Sequence, residues 1–265
     1  MNEKKKRMVI KVGTGGLRSN GCQSDSVFFA IAGQIAAIKK EGWEVVLVSS
    51  GAVDAAKEWL TLLGRDFSLF DAGELSSIGT SELLGKWKSA FLPHGLVIAT
   101  GWLTHSVWNQ CNQRENLRIS GGTLSGPGTV LIVNENDLLS RSELKKMKRG
   151  EGDNDYMARR VACLLNADAI IFLTESGGIL NGKPGEEGTR LYRELDGRRT
   201  FRLGSKNGGK SNTGTGGPQS KINQASICFR RGMRATIAGI HEESVVIRFA
   251  HEALVGTTIS NRTLL

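Results

Sequence analysis

The sequence predicts an α/β protein built on a mainly parallel sheet covered on both faces by helices. Apolar runs of strand length alternate with segments whose apolar residues recur at helical spacing. The strand-like runs are near-continuously apolar, as strands buried on both faces are. At 265 residues, 39% hydrophobic and 23% charged, the chain is long enough to bury a substantial core.

In chain order, Met8 to Gly13 reads as the first strand, and Ser24 or Asp25 caps a helix carrying Val27, Phe28, Ile31, Ile35 and Ile38, which Gly42 ends. Glu44 to Ser50 is the second strand, followed by a helical pattern through Ala55, Trp59 and Leu62. Leu75 to Phe91 reads as helix, with Pro93-His94-Gly95 as its punctuation, and Leu96 to Thr100 and Thr129 to Val133 as strands. The turn Asp153-Asn154-Asp155 opens a helix through Met157, Val161 and Leu164-Leu165, and Ala169 to Thr174 is the next strand. Lys183 to Thr215 shifts to Gly, Arg, Lys, Ser and Asn, which predicts a long excursion with a short ribbon around Leu191 to Phe201. From Gly217 a helix runs through Ile222, Ala225 and Phe229, and strands are expected at Arg234 to Ile240 and Val245 to Phe249. There is no internal repeat.

Composition excludes several classes of function. No run approaches the roughly 18 apolar residues of a membrane span, and Met1 to Arg7 is charged, unlike a secretory signal, so a cytoplasmic protein is expected. Cys22, Cys111, Cys163 and Cys228 have no metal-ligand spacing and read as small buried residues. The four histidines are equally scattered, with none near the candidate phosphate loops. The net charge of +9 is spread over Lys4 to Arg7, Lys145 to Arg149 and Arg198-Arg199, without interleaved aromatics. That argues against a nucleic-acid partner and suits a site for a polyanion.

Five segments carry candidate chemistry. Lys11 lies inside an apolar strand that runs into Gly13, Gly15 and Gly16. It either snorkels from a sheet edge or meets an anion, and the glycines favour phosphate. Ser49-Ser50-Gly51-Ala52 is a capped turn or a substrate-binding strand exit. Asn134 to Asp137 and Gly152 to Asp155 are polar clusters that are either solvated turns or, following one strand, places for an ammonium group and for orienting lysines or a metal. Gly214 to Gly217 with Lys221 opening a helix is a linker or a phosphate cradle. Gly204 to Ser211 formally matches the P-loop pattern, but Asn212 to Pro218 cannot continue it as helix, so it reads as a flexible basic loop.

These motifs, in this order from about Val9 to Ser260, resemble the amino acid kinase family, and within it the glutamate 5-kinases. The resemblance implies a three-layer αβα sandwich, a single domain over 1–265 with an acceptor lobe to about residue 165 and a nucleotide lobe beyond, and no room for the C-terminal PUA domain of many bacterial members. It implies that Lys11 and Lys221 contact the phosphates while Asp155 holds both lysines. Ser50, Asp137 and Asn154 would bind glutamate. Lys11, Gly13, Thr174, Glu175, Thr215, Gly216, Gly217 and Lys221 would bind ATP, with Mg2+ held through its phosphates rather than by protein ligands. The implied reaction is phosphorylation of the γ-carboxylate of L-glutamate, the first step of proline synthesis. The alternatives are a sister kinase for another carboxylate, carbamate or phosphate, and a non-catalytic sensor or storage protein. Partners are small molecules and further copies of the chain, as a homo-oligomer. The sequence departs from the pattern at Gly16, Thr80, Leu117 to Gly122, Glu175 and Pro218, where serine, glutamine, an Asn-Ala-Arg-like stretch, aspartate and methionine are usual.

Overall fold

A computed structural model describes residues 5–19, 21–139, 154–203 and 217–264. The chain opens with strand β1 (Arg7–Val12), a small hairpin of β2 (Arg18–Ser19) and β3 (Cys22–Gln23), helix α1 (Asp25–Lys40), β4 (Glu44–Ser49) and α2 (Ala52–Leu62). Then come α3 (Ala72–Phe91), β5 (Val97–Leu103), α4 (Cys111–Leu124) and β6 (Thr129–Glu135). The second half holds α5 (Asn154–Leu164), β7 (Ala169–Thr174), β8 (Glu194–Asp196), α6 (Pro218–Arg230), β9 (Arg234–Gly239), α7 (Val245–Ala250) and β10 (Thr257–Ser260).

One sheet of eight strands, in the order β5-β6-β4-β1-β7-β9-β10-β8, runs through the described residues. Every neighbouring pair is parallel except β9 and β10. Alternate residues of β1 feed two cores. Met8, Ile10 and Val12 pack with residues of α1, α3 and α7, while Val9 lies with residues of α5 and α6 on the other face. Helices on both faces of a parallel sheet make the three-layer αβα sandwich.

Several local features explain the element boundaries. Gly42, at φ 92°, turns the chain out of α1. Asp71 and Glu74 close a reciprocal capping box at the start of α3. Phe28, Trp87 and Phe91 stack in the first core, with Phe28 edge-on to Trp87 at 4.7 Å.

Some expectations are corrected. Val245 to Phe249 is the helix α7 and not a strand. Its β-branched apolar run is buried on every side that faces the core, and a short apolar run has no period that separates strand from buried helix. The helix α4 and the strand β10 carried no prior expectation. Cys22 and Cys111 are exposed rather than buried, whereas Cys228 is buried and Cys163 half-buried. Lys145 to Arg149 and the P-loop-like Gly204 to Ser211 lie outside the described residues. Among the described residues no helix is long and apolar enough to cross a membrane.

Candidate active site

The chain reverses direction across the sheet at β1. After β1 it builds β4, β6 and β5 on one side, and after α5 it builds β7 and β9 on the other. Ligands of open α/β sheets collect outside the carboxyl ends of strands at such a switch. Two backbone hydrogen bonds tie the exits together there: the Ser50 amide donates to Val12 O at 3.0 Å, and the Gly13 amide to Leu173 O at 3.2 Å.

Lys11 is one residue before the end of β1, paired with Val48 on one side and Phe172 on the other, so it cannot snorkel from a sheet edge. It is 4% exposed. Its Nζ lies 2.8 Å from Oδ1 of Asp155, whose side chain is fully buried in the first turn of α5. The other carboxylate oxygen, Oδ2, accepts from Lys221 Nζ at 3.1 Å. Burial alone would push the Asp155 carboxyl up, but the two ammonium groups outweigh it and hold the carboxyl below the usual 3.8. The two ammonium groups share this carboxylate in a place that water barely reaches.

On the β4 and β6 side, Asn154 Nδ2 donates to Ser50 Oγ at 2.8 Å, while Asn154 Oδ1 is buried without a hydrogen-bond partner among the described residues. Ser49, next in sequence, serves the fold instead: its hydroxyl accepts from Trp87 Nε1 at 2.9 Å. Gly51, at φ 110°, lets α2 begin directly after Ser50, and a Cβ there would meet Gln23 Nε2 at 2.9 Å. Register places Val48 opposite Val133, so the exits of β4 and β6 are neighbours and Asp137 follows close behind. Ser76 Oγ of α3 donates to Asp137 Oδ2 at 2.5 Å. Burial raises the Asp137 carboxyl, the Ser76 hydrogen bond opposes this, and nearby Glu135 adds to it.

Sequence reasoning missed His105 and Ser76 beside these groups, while Glu135 stood inside the expected polar cluster of Asn134 to Asp137 without a role of its own. His105 and Glu135 are both buried, with Nε2 3.3 Å from Oε1, close enough for a charge contact but not aligned as a hydrogen bond. The His105 ring stacks on Tyr156, the residue after Asp155, at 5.5 Å. His105 follows β5, Glu135 ends β6 and Ser76 lies on α3, so no local motif joins them. Only the expectation that strand exits gather a site could have singled out His105.

On the β7 side, Thr174 ends its strand and its carbonyl accepts from the Ile240 amide at 2.9 Å, while Glu175 is exposed. Gly217 caps α6 in extended backbone and Pro218 occupies its first turn, where a missing amide proton costs nothing. Thr215 and Gly216 lie outside the described residues, as do Gly152 and Asp153. A Cβ on Gly13 would meet Leu173 O at 3.4 Å and Lys11 Nζ at 3.6 Å, so this glycine keeps the backbone open beside the ammonium. Gly16 has a structural reason: a Cβ there would come within 3.0 Å of Ile240, which fills the space. Among the described residues no group of three His, Cys, Asp or Glu side chains could hold a metal ion.

Residues 6–239 match the amino acid kinase family. The chain belongs to the amino acid kinase family. Among its relatives, the glutamate 5-kinase of Marinomonas sp. is 32% identical over 256 residues, 96% of this chain and 67% of that one. The glutamate 5-kinase of Shewanella amazonensis is 33% identical over 258 residues, 95% of this chain and 66% of that one. The chain thus spans about two thirds of the length of these curated relatives. Two solved structures share the fold of this amino acid kinase. The UMP kinase of Bacillus anthracis gives a TM-score of 0.64 at 19% identity, covering 98% of both chains. The carbamate kinase of Giardia lamblia bound to AMP-PNP gives 0.66 at 17%, covering 99% of this chain and 100% of that one. As an amino acid kinase, the protein is an ATP-dependent phosphotransferase with a carboxylate- or phosphate-type acceptor.

Proposed function

We propose that this amino acid kinase transfers the γ-phosphoryl group of ATP to the γ-carboxylate of L-glutamate, giving the γ-glutamyl phosphate that begins proline synthesis. The observation that carries the reading is the Lys11–Asp155–Lys221 cluster at the switch point, flanked by Ser50, Asn154 and Asp137, in a chain whose relatives are glutamate 5-kinases.

A carboxylate acceptor is already ionised near neutral pH, so its attack needs no general base. The harder task is to bring two anions together in line and neutralise charge on the transferring group. Lys11 and Lys221 are suited to that work because their ammonium groups are preorganised and largely shielded from water. Asp155 is the organiser of both cations, and its lowered pKa makes it a poor proton acceptor. Ser50 accepts from Asn154 and keeps its own hydroxyl proton for a substrate carboxylate, whereas Asn154 Oδ1 and Asp137 offer oxygens to an ammonium group.

ATP fits the opposite side, where Lys11, Gly13, Thr174, Glu175, Gly217 and Lys221 collect around an open backbone and two cations. Thr215 and Gly216 belong to the same assignment by sequence. Mg2+, carried on the phosphates, would add Lewis-acid neutralisation of the transferring group. The acceptor side corresponds to residues up to about 165 and the nucleotide side to those beyond.

The test is ATP turnover with L-glutamate in the presence of hydroxylamine, which traps an acyl phosphate as hydroxamate. Glutamate-dependent hydroxamate is the expected result. ADP release with a carbamate or phosphate acceptor, and none with glutamate, would keep the kinase and overturn the acceptor.

A further inference from the structure

His105 is buried in the candidate site, yet the transfer roles proposed above leave it without a part. It opens the short 3₁₀ segment His105–Asn109 that follows β5. Register pairs Leu103 with Glu135, and the Asn136 amide donates to Leu103 O at 2.8 Å, so the exits of β5 and β6 are fastened together. That places the imidazole beside the Glu135 carboxylate, with Nε2 3.3 Å from Oε1 and only 8% and 5% of the two residues exposed. Glu135 Oε1 has no hydrogen-bond partner among the described residues, and the imidazole is the polar group it faces.

The same ring stacks on Tyr156 of α5, with centroids 5.5 Å apart and planes inclined by 25°. The guanidinium of Arg159 lies 4.8 Å from the Tyr156 ring, and that of Arg160 5.8 Å from it. Arg160 is in turn 4.9 Å from the ring of Trp108, which shares the 3₁₀ segment with His105. The segment after β5 therefore grips the start of α5 twice, through His105 on Tyr156 and Trp108 on Arg160. Asn154 and Asp155 immediately precede Tyr156 in the first turn of that helix.

We propose that His105 is a positioning residue for phosphoryl transfer. Its ring, turned by Glu135 and stacked on Tyr156, sets the first turn of α5, from which Asp155 reaches both lysines and Asn154 reaches Ser50. The role rests on that lysine–carboxylate cluster being the transfer site. A buried imidazole–carboxylate pair adds little stability over an apolar pair of the same shape, because both groups lose their water. What the pair supplies is direction, a ring whose rotation is fixed from the sheet. The contacts of Asp155 alone leave the helix free to shift, since lysine ammonium groups are point charges on flexible stems and can follow a moving carboxylate. A ring packed flat on a ring resists that shift.

Displacing groups in such a site by about 1 Å costs on the order of 10²-fold in rate, and in a His105 variant Asp155 keeps its lysines, so a partial loss is expected. His105→Ala should lower kcat about tenfold or more, while the Michaelis constants for ATP and acceptor change by less than kcat does. His105→Phe keeps a ring on Tyr156 and should turn over at least about threefold faster than His105→Ala. His105→Gln keeps a polar contact for Glu135 without the ring, and should be as slow as His105→Ala.

The experiment measures ADP release by the full chain and these variants, with whichever acceptor supports turnover, beside thermal melts and amide hydrogen exchange across α5. Exchange across α5 should quicken in His105→Ala and His105→Gln, while α1, packed on the opposite face of the sheet, stays protected. Should His105→Ala not fold, His105→Phe against His105→Gln carries the same comparison. Equal kcat in wild type and His105→Ala, or a loss that the ring of His105→Phe does not mend, would overturn the role. Unchanged exchange across α5 would do so too. Lys221→Ala separates the role from the site itself. Turnover kept there sinks the transfer site, whereas turnover lost there and kept in His105→Ala sinks the positioning role alone.

Discussion

Asp155 is the residue on which the candidate site depends, because a buried carboxylate is tolerable only with strong partners, and among the described residues it has Lys11 and Lys221. The same pairing makes Lys11 tolerable inside an apolar strand. In Lys11→Ala the carboxylate keeps Lys221, so the variant should stay folded while turnover falls on the order of 10²–10³-fold. The Michaelis constant for the acceptor should change far less, and steady-state kinetics beside a thermal melt check both halves. Normal turnover, or a chain that merely unfolds, would refute the role. Asp137 behaves in the opposite electrostatic sense to Asp155. Its carboxyl is raised above 3.8 in the fold, so the folded state holds the proton more tightly than the unfolded one. Stability therefore declines as pH rises from the unfolded value through the folded one. Asp137→Asn should flatten that decline in urea midpoints measured from about pH 3 upward. An unchanged profile would remove the burial argument.

At the scale of elements, the start of α6 and the P-loop-like segment before it compete as phosphate sites. Lys221 stands in α6 against Asp155, so Lys221→Ala should abolish most turnover while Lys210→Ala leaves most of it. The reverse ranking would move the nucleotide site into the loop. Packing of α2 on α3 depends on Gly79, where a Cβ would fall 1.8 Å from Ala52 O and 2.5 Å from Ala56 N. Both atoms are helix backbone and cannot swing aside, so Gly79→Ala should cost at least about 2 kcal/mol, read as a drop in Tm of several degrees. An unaltered Tm would mean that the two helices separate at little cost. Elements were legible where period and punctuation agreed: β7 runs from Ala169 to Thr174 as expected, and α1 ends where Gly42 marks it. Legibility failed where period was absent. In α4 only Gly121 is buried, so there is no apolar stripe to read, and α7 is a six-residue segment, apolar but for Arg248, that begins after Ser244 at φ 50°. The lysines and Asp155 were legible because each stands beside glycines or at a helix start. His105 and Ser76 were not, since their partners are set by strand order alone, and Glu135 was legible only as one member of the cluster from Asn134 to Asp137.

For the whole molecule, the strand order separates two sides of one site. Ser50 and Asp137 follow β4 and β6, Thr174 and Gly217 belong to the side of β7 and α6, and β1 lies between. Binding on the two sides should therefore be separable. Asp137→Asn should weaken the acceptor's affinity and leave ATP affinity, measured by calorimetry without acceptor, near wild type. Loss of ATP binding with retained acceptor binding would reverse the sides. The position of β1 also bears on how the protein comes off the ribosome. β1, the earliest of the eight strands in chain order, is an inner strand of the finished sheet, and it needs β7, made far later in the chain, to pair its second edge. Lys11 precedes Asp155 and Lys221 in the chain by well over a hundred residues, so the three charges come together only once α5 and α6 have been made. Long-range pairing of this kind is slow and leaves strand edges exposed meanwhile. Turnover thus becomes possible only after the chain has been synthesised and docked through α6, and enzymatic activity regained during refolding reports a late step of assembly rather than an early one.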